Sequence, residues 1–409
     1  MRRVGVVLAA CALAMPVAVT AQWQFGDPVN VSPQTTQSHY HHLDGSARRH
    51  VAASAEQVAV VWEDDRSGSP QVYLATKRHE ESTFREQRLS DGGEAYEPAV
   101  VVLPGERWLA AWEQDGGIKA RVFDAAGAGP VATLLEQGGR QVSLAADDAG
   151  RVSAVWARSQ RGGQQIEAID LVIEENRIVT PAPASAVAPL EDRPYQGYPA
   201  AAFTAQGRLL VAWEDRRAGH TRLFHSWRDP GRSFAPARQL NEHFAPADTE
   251  QGLGTGVMRV TIAVGADGEA RAIWLDKRNA ASGYAVWGAS SGDGGLTFGP
   301  NRIVQDDMGA AVAQWHAALS GGDSGFVAAW NDARESWANP DETGDVILSW
   351  TVDGSWSPDL VVPGASGDGY QGSPALTLDP TGGLHLVWIT RPDLTAPTAL
   401  RYLRALPGR

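Results

Sequence analysis

Val58-Ala59-Val60-Val61-Trp62 decides the fold, because the chain repeats it. An apolar run ending in tryptophan returns as Leu109-Ala110-Ala111-Trp112, Val152-Ser153-Ala154-Val155-Trp156 and Leu210-Val211-Ala212-Trp213. It returns again as Ala270-Arg271-Ala272-Ile273-Trp274, Phe326-Val327-Ala328-Ala329-Trp330 and Leu384-His385-Leu386-Val387-Trp388. The surroundings repeat as well. A second apolar run and a tight turn precede the tryptophan run, as in Ile262-Ala263-Val264-Gly265-Ala266-Asp267-Gly268-Glu269. Glycine and aspartate there supply the positive-φ corners of a hairpin. A polar loop follows the tryptophan, then a third strand such as Gln71–Thr76. Fourth strands are expected at Phe84–Leu89, Phe234–Leu240, Phe298–Val304 and Trp356–Val362.

Four antiparallel strands in a unit of roughly 50 residues make one blade of a β-propeller. Seven tryptophan units predict an all-β, seven-bladed β-propeller; six blades are the alternative if the weak third unit is distorted. The last unit, Ser373–Leu403, has only three strands. Phe25-Gly26-Asp27-Pro28-Val29-Asn30-Val31-Ser32 parallels Phe234-Ala235-Pro236-Ala237-Arg238-Gln239-Leu240-Asn241 in register. This N-terminal strand is therefore expected to complete the last blade, closing the ring and removing two exposed edges. The tryptophans are expected to fill space between blades.

Composition agrees. The chain has 409 residues, 43% hydrophobic, with 44 glycines, 24 prolines and 15 tryptophans but only 4 methionines. That balance favours turns and strands over helices. The formal net charge is −13 and no basic run occurs, which argues against nucleic acid as a partner. No membrane span is expected in the body of the chain. The N-terminus reads as an export signal over residues 1–21. Arg2 and Arg3 precede the apolar stretch Val4–Val19, and Val19-Thr20-Ala21 ends as a cleavage site does. Residues 22–409 would then form a single domain in the periplasm or outside the cell. Leu8-Ala9-Ala10-Cys11 is a weaker, lipoprotein-like alternative. Cys11 is the only cysteine, so the exported domain would hold no disulfide, cysteine nucleophile or cysteine-ligated zinc.

Ser291-Gly292-Asp293-Gly294-Gly295-Leu296-Thr297-Phe298 resembles the Asp-box, the BNR repeat of sialidases and related propellers. A relaxed copy is Asp229-Pro230-Gly231-Arg232-Ser233-Phe234. The resemblance implies a sialidase-like propeller in which Ser291, Asp293, Gly295, Thr297 and Phe298 are structural, on the face away from an active site. It implies no catalytic residue here. Sialidases mark their first arginine with Arg-Ile-Pro, and that string is absent. Neither HExxH nor a phosphate loop occurs.

A second motif, Trp-x-Asp-x-Arg, occurs four times. It brings Asp64 and Arg66, Asp215 and Arg217, Asp276 and Arg278, and Asp332 and Arg334. It falls where the second strand enters the loop to the third, on the face opposite the Asp-box. One reading is a ring of carboxylates and guanidiniums around a mouth, suited to polar ligands. The other is that each aspartate caps its loop and pairs with the arginine. Fourfold repetition favours the second. The connections that share this face carry Tyr96-Glu97, Tyr195-Gln196-Gly197-Tyr198, Gln314-Trp315-His316 and Tyr370-Gln371-Gly372. Aromatic rings with amides and carboxylates suit a sugar-binding surface. Tyr96, Glu97, Tyr198, Trp315, His316 and Tyr370 therefore join the aspartates and arginines as ligand-binding candidates. His39 and His41 alternate to one face if extended and are weak metal candidates. No cofactor is expected, and calcium is the one structural ion left open. The expected function is binding of a glycan or peptide at the mouth. A sialidase-like glycoside hydrolase and a non-catalytic surface scaffold are the alternatives.

Overall fold

The computed structural model describes residues 23–32, 39–43, 49–160, 162–189, 195–217, 219–242, 256–278, 283–306, 314–334, 342–393 and 395–408. The expected export signal, Cys11 and most of the loop at 241–256 lie outside them. The described residues are all-β, and none of their helices is long and apolar enough to cross a membrane. Their strands form six hydrogen-bonded sheets. One carries ten strands, because Glu342–Val352 pairs in parallel with Gly369–Leu378 and so joins two antiparallel groups.

Within a unit each strand pairs antiparallel with the next. In the first unit Val51–Ala53, Gln57–Asp64, Gln71–Arg78 and Arg85–Arg88 pair in that order. The tryptophan strand is covered on both faces: Val58, Ala59, Val60, Val61 and Trp62 are all fully buried. This explains why it reads as a continuous apolar run and not as an alternation. All seven repeated tryptophans are fully buried.

The apolar clusters lie between units rather than within them. Trp112 packs with Val61 and Leu74 of the first unit, and Trp156 with Leu109 and Ile118 of the second. Trp213, Trp274, Trp330 and Trp388 each pack with the unit before their own. Trp62 of the first unit packs with Val387, Leu400 and Tyr402 of the last. Truncating such an indole to alanine costs about 3–5 kcal/mol. The opening strands of successive units touch in sequence order, and Gly369–Leu378 touches Val51–Ala53.

At the N-terminus Trp23–Phe25 pairs with Ala405–Pro407, and Val29–Asn30 with Arg401–Tyr402. The fourth strands are shorter than the sequence suggests. Only Arg238–Gln239, Arg302–Ile303, Ser355–Trp356 and Leu360–Val361 pair within the three later spans. Pro236, Pro300 and Pro358 fall in those spans, and proline has no N–H to give to a ladder.

Candidate functional site

The opening strand of six units carries the same irregularity near its start. The register slips between Tyr96 and Ala99, Arg140 and Ser143, Gly197 and Ala200, Met258 and Thr261, Trp315 and Ala318, and Gly372 and Ala375. Each slip is a β-bulge whose first residue has positive φ: Glu97, Gln141, Tyr198, Arg259, His316 and Ser373. A bulge bends the strand and takes one residue out of the ladder. That frees its N–H for a partner in the neighbouring unit.

The partner often follows a repeated tryptophan. Glu97 N donates to Glu63 Oε2 (3.2 Å), Gln141 N to Glu113 Oε1 (2.5 Å), and Arg259 N to Glu214 Oε1 (2.8 Å). Tyr198 N donates to the Gln141 side chain at 2.7 Å. The bulges therefore hold a set of carboxylates and side-chain oxygens at one end of the strands. Between the first three units this surface opens into a cavity of about 490 Å³. Glu63, Tyr96, Glu97, Glu113, Asp115 and Arg140 line it, with His42 and Gln114. The Tyr96 hydroxyl donates to Glu94, which pushes its pKa up to about 12.

Two units further on, Glu214 is buried beside Arg259, whose Nη1 lies 3.3 Å from its carboxylate. The Arg259 guanidinium sits 3.3 Å above the Tyr198 ring. Burial raises the Glu214 pKa, and the contacts with Arg259 oppose that only in part.

The aspartates and arginines of the second motif are spent on each other. Asp215 accepts the Trp213 indole N–H (3.2 Å), the Arg217 backbone N–H (2.8 Å) and the Arg217 guanidinium (2.5 Å). Asp276 does the same with Trp274 and Arg278, and Asp64 with Trp62 and Arg66. Asp332 takes Arg334 through backbone and side chain. The spacing explains this: residues two apart share a strand face, so indole and carboxylate meet. Arg66, Arg217 and Arg278 then lie over Tyr73, Phe224 and Trp287 of the third strands.

The remaining candidates are scattered along the same end. Trp315 is 38% exposed and packs against Tyr284 at 5.1 Å. His316 Nδ1 lies 2.7 Å from Asn331 Oδ1. Tyr370 lies under Arg391, 5.0 Å from its ring centroid. At the other strand end, Ser291 Oγ donates to Asp293 and accepts from Gly295 N. Asp293 also takes the N–H groups of Leu296 and Thr297 and the Thr297 hydroxyl. Phe298 meets His225 edge-on at 4.9 Å.

His39, His41 and Asp64 have donor atoms within 4.8 Å of one another, as do His79, Asp379 and His385, so either group could hold a metal. His41 is already occupied by Ser32 Oγ (2.7 Å) and Thr398 Oγ1 (2.9 Å). Asp379 Oδ2 lies 3.0 Å from His385 Nε2 and takes Arg404 at 2.8 Å.

Of the sequence candidates, the structure brings Tyr96 and Glu97 to the cavity and sets Tyr198 against Arg259. Sequence reasoning missed Glu63, Glu113, Arg140, Glu214 and Arg259. One signal was available: the residue after the repeated tryptophan is Glu63, Glu113, Glu214 and Asn331 in four units.

No protein-family model matches the sequence, and no curated protein is similar to it in sequence. Solved structures are similar in fold. An ulvan lyase described as a new polysaccharide lyase family has TM-score 0.60 at 8% identity, over 89% of this chain and 93% of that one. The polysaccharide lyase Uly1 has TM-score 0.58 at 8% identity, over 92% and 93%. A protein of unknown function from Dyadobacter fermentans has TM-score 0.53 at 12% identity, over 95% and 100%. What the chain shares with them is the propeller fold.

Proposed function

We propose that residues 22–409 form one exported, closed, seven-bladed propeller whose acidic cavity binds a carbohydrate. Supporting the blade count and closure are the interleaved tryptophans, with Trp62 against the last unit, and the pairing of Trp23–Phe25 with the C-terminal strand. The fold it shares with polysaccharide lyases makes a glycan the first ligand to try, though one fold hosts many functions.

One observation carries the reading. The bulges anchor carboxylates by backbone N–H bonds beside the half-buried Tyr96, in a cavity of ligand size. Carboxylates accept sugar hydroxyls, and a tyrosine ring packs on the C–H face of a pyranose. Glu63, Glu97, Glu113 and Asp115 outnumber Arg140, so the cavity suits neutral or amine-bearing sugars and repels acidic ones.

Titrating the mature chain with a panel of neutral, amino and acidic oligosaccharides tests this. Neutral or amino sugars should bind, with Tyr96→Ala and Glu97→Gln each weakening binding at least about tenfold, or 1.4 kcal/mol. Binding confined to acidic sugars, or to none, would sink the reading. A basic peptide binding at the same residues would reassign the ligand class, and silence to both would favour the scaffold.

A hydrolytic reading has one observation in its favour. Glu214, its pKa raised by burial, sits beside Arg259 and Tyr198, and an acid of raised pKa is what glycoside hydrolysis requires. Turnover of a chromogenic glycoside that disappears in Glu214→Gln would establish it.

A further inference from the structure

A second cavity of about 490 Å³ lies at the opposite end of the strands. It opens where the hairpins joining first and second strands of the second, third and fourth units converge. Leu103, Leu171 and Leu209 are buried in its floor, and Val172, 45% exposed, forms part of a wall. Arg107, Arg151 and Arg228 stand around it.

The cavity exists because the third unit departs from the repeat. In the fifth unit the turn from third to fourth strand is the tight Ser291–Phe298 hairpin, and its aromatic packs against His225 of the fourth unit. In the third unit the third strand instead runs on through Gly163–Glu174 and returns as Arg177–Val179. No aromatic residue occurs between Gly163 and Val179. The extended hairpin reaches the second unit: Asn176 Nδ2 donates to Asp124 (2.9 Å), and Arg107 donates to the Glu175 carbonyl. The gap left beneath is lined by Leu171, Val172 and Ile173.

Of the three arginines around it, two are ion-paired and Arg107 is not. Arg228 is matched by Asp170 at 2.5 Å, and Asp229 takes Arg208 at 2.7 Å. Arg107 gives its hydrogen bonds to main-chain carbonyls, those of Pro104 and Glu175, and no carboxylate among the described residues lies within ion-pair distance of it. Arg151 is ion-paired with Asp147 through Nε (2.6 Å), while its guanidinium lies against Gly207, where an added Cβ would stand 2.4 Å from Cζ. Its terminal nitrogens make no hydrogen bond among the described residues. Two guanidiniums with donors to spare beside an apolar floor form an anion site with an apolar appendage. Arg107 does so without an ion-pair partner among the described residues, in a chain whose net charge is −13.

We propose that this cavity binds a small amphiphilic carboxylate: an apolar body of about ten carbons on the leucine floor, with its carboxylate on Arg107 and Arg151. The apolar body supplies affinity through buried area, and the guanidiniums set the orientation and the preference for an anion.

Calorimetric titration of the mature chain tests it, using decanoate below its micelle concentration, 4-phenylbutyrate as an aromatic counterpart, and decanol and decylamine as controls. A saturable one-to-one heat with either acid, at least about tenfold tighter than with decanol or decylamine, is expected. Arg107→Met, which keeps the alkyl stem, should lose about tenfold for the acid and nothing for decanol. Val172→Glu places a negative charge at an exposed position, leaves the fold intact, and should abolish acid binding; it carries the test if Arg107→Met fails to fold. Glu97→Gln, at the other end of the strands, should bind the acid normally. This keeps failure here separate from failure of the carbohydrate reading. No saturable heat with either acid, equal affinity for decanoate and decanol, or unchanged binding in Val172→Glu would overturn the proposal.

Discussion

The first, fourth, fifth and sixth units end their second strand in Trp-x-Asp-x-Arg; the second, third and seventh do not. In the former group a buried aspartate ties the loop backbone and a guanidinium into one knot, which in the first, fourth and fifth units takes in the indole as well. The loop that follows is long, and the arginine covers a third-strand aromatic in three of the four. In the second unit Gln114 takes the indole N–H at 2.8 Å, and the chain turns at once through Asp115 and Gly116, both at positive φ. That two-residue turn, of the kind that matches strand twist, leaves no loop to cover the surface. The acidic cavity opens beside it, lined by Gln114, Asp115, Gly116, Gly139 and Arg140. The third unit, which has lost both repeated motifs, also contributes Leu171 and Val172 to the cavity at the other strand end. The repeated residues pack neighbouring sheets against one another, and the recessed surfaces appear where the repeat lapses.

Breaking the knot should give the largest effect. Asp215→Ala removes the acceptor of four hydrogen bonds, from Trp213, Gln196, and the backbone and guanidinium of Arg217. It leaves a guanidinium and an indole N–H without a partner. The expected loss is about 3–5 kcal/mol by urea denaturation. A loss under about 1 kcal/mol would mean that water replaces the carboxylate and that the motif is not what stiffens these units.

A second prediction concerns the packing between repeated hairpins. His225 is buried between Trp227 and Phe298, and burial, helped by the charge of Arg238, lowers its pKa to about 4. A histidine whose folded pKa is depressed is held neutral by the fold. Between its unfolded value near 6.5 and about 4 the unfolded chain binds the extra proton, so stability falls as pH falls through that window. The full shift corresponds to about 3 kcal/mol. His225→Leu should flatten the dependence of Tm on pH between 6.5 and 4, relative to the unmodified chain, and change little above pH 7. An unchanged slope would place the acid sensitivity elsewhere.

The strand pattern and the junction of the termini were readable because burial on both faces writes long apolar runs, and because Phe25–Ser32 parallels Phe234–Asn241. Tyr96 and Glu97 were readable as residues foreign to a strand start. Glu113 and Glu214 were not, since a charged residue after a buried tryptophan reads as an exposed strand position. What gives them a role is the bulge opposite. Its positive φ falls on Glu97, Gln141, Tyr198 and Arg259, none of them glycine. A ladder irregularity that depends on two strands and a neighbouring unit leaves no local mark in any one of them. The shortened fourth strands are the converse case: Pro236, Pro300 and Pro358 were visible, and their missing N–H groups predict the interruption.

The smallest effect sharpens the comparison most. Gln114→Ala removes a neutral acceptor from the Trp112 indole and a donor to the Asp91 carbonyl, and should cost about 1–2 kcal/mol, less than Asp215→Ala. Gln114→Asp restores the residue type of the repeat but not the knot, because Gly116 stands where the repeat has arginine. The new carboxylate would be buried with an indole donor and no guanidinium, so its pKa should rise. Raised folded pKa means that stability is present at low pH and lost as pH climbs through that value. Gln114→Asp should therefore resemble Gln114→Ala near pH 5 and be less stable than it at pH 8. If it is instead more stable than Gln114→Ala at pH 8, the aspartate stabilises these units without its arginine, and the four arginines are left over for a ligand at the mouth.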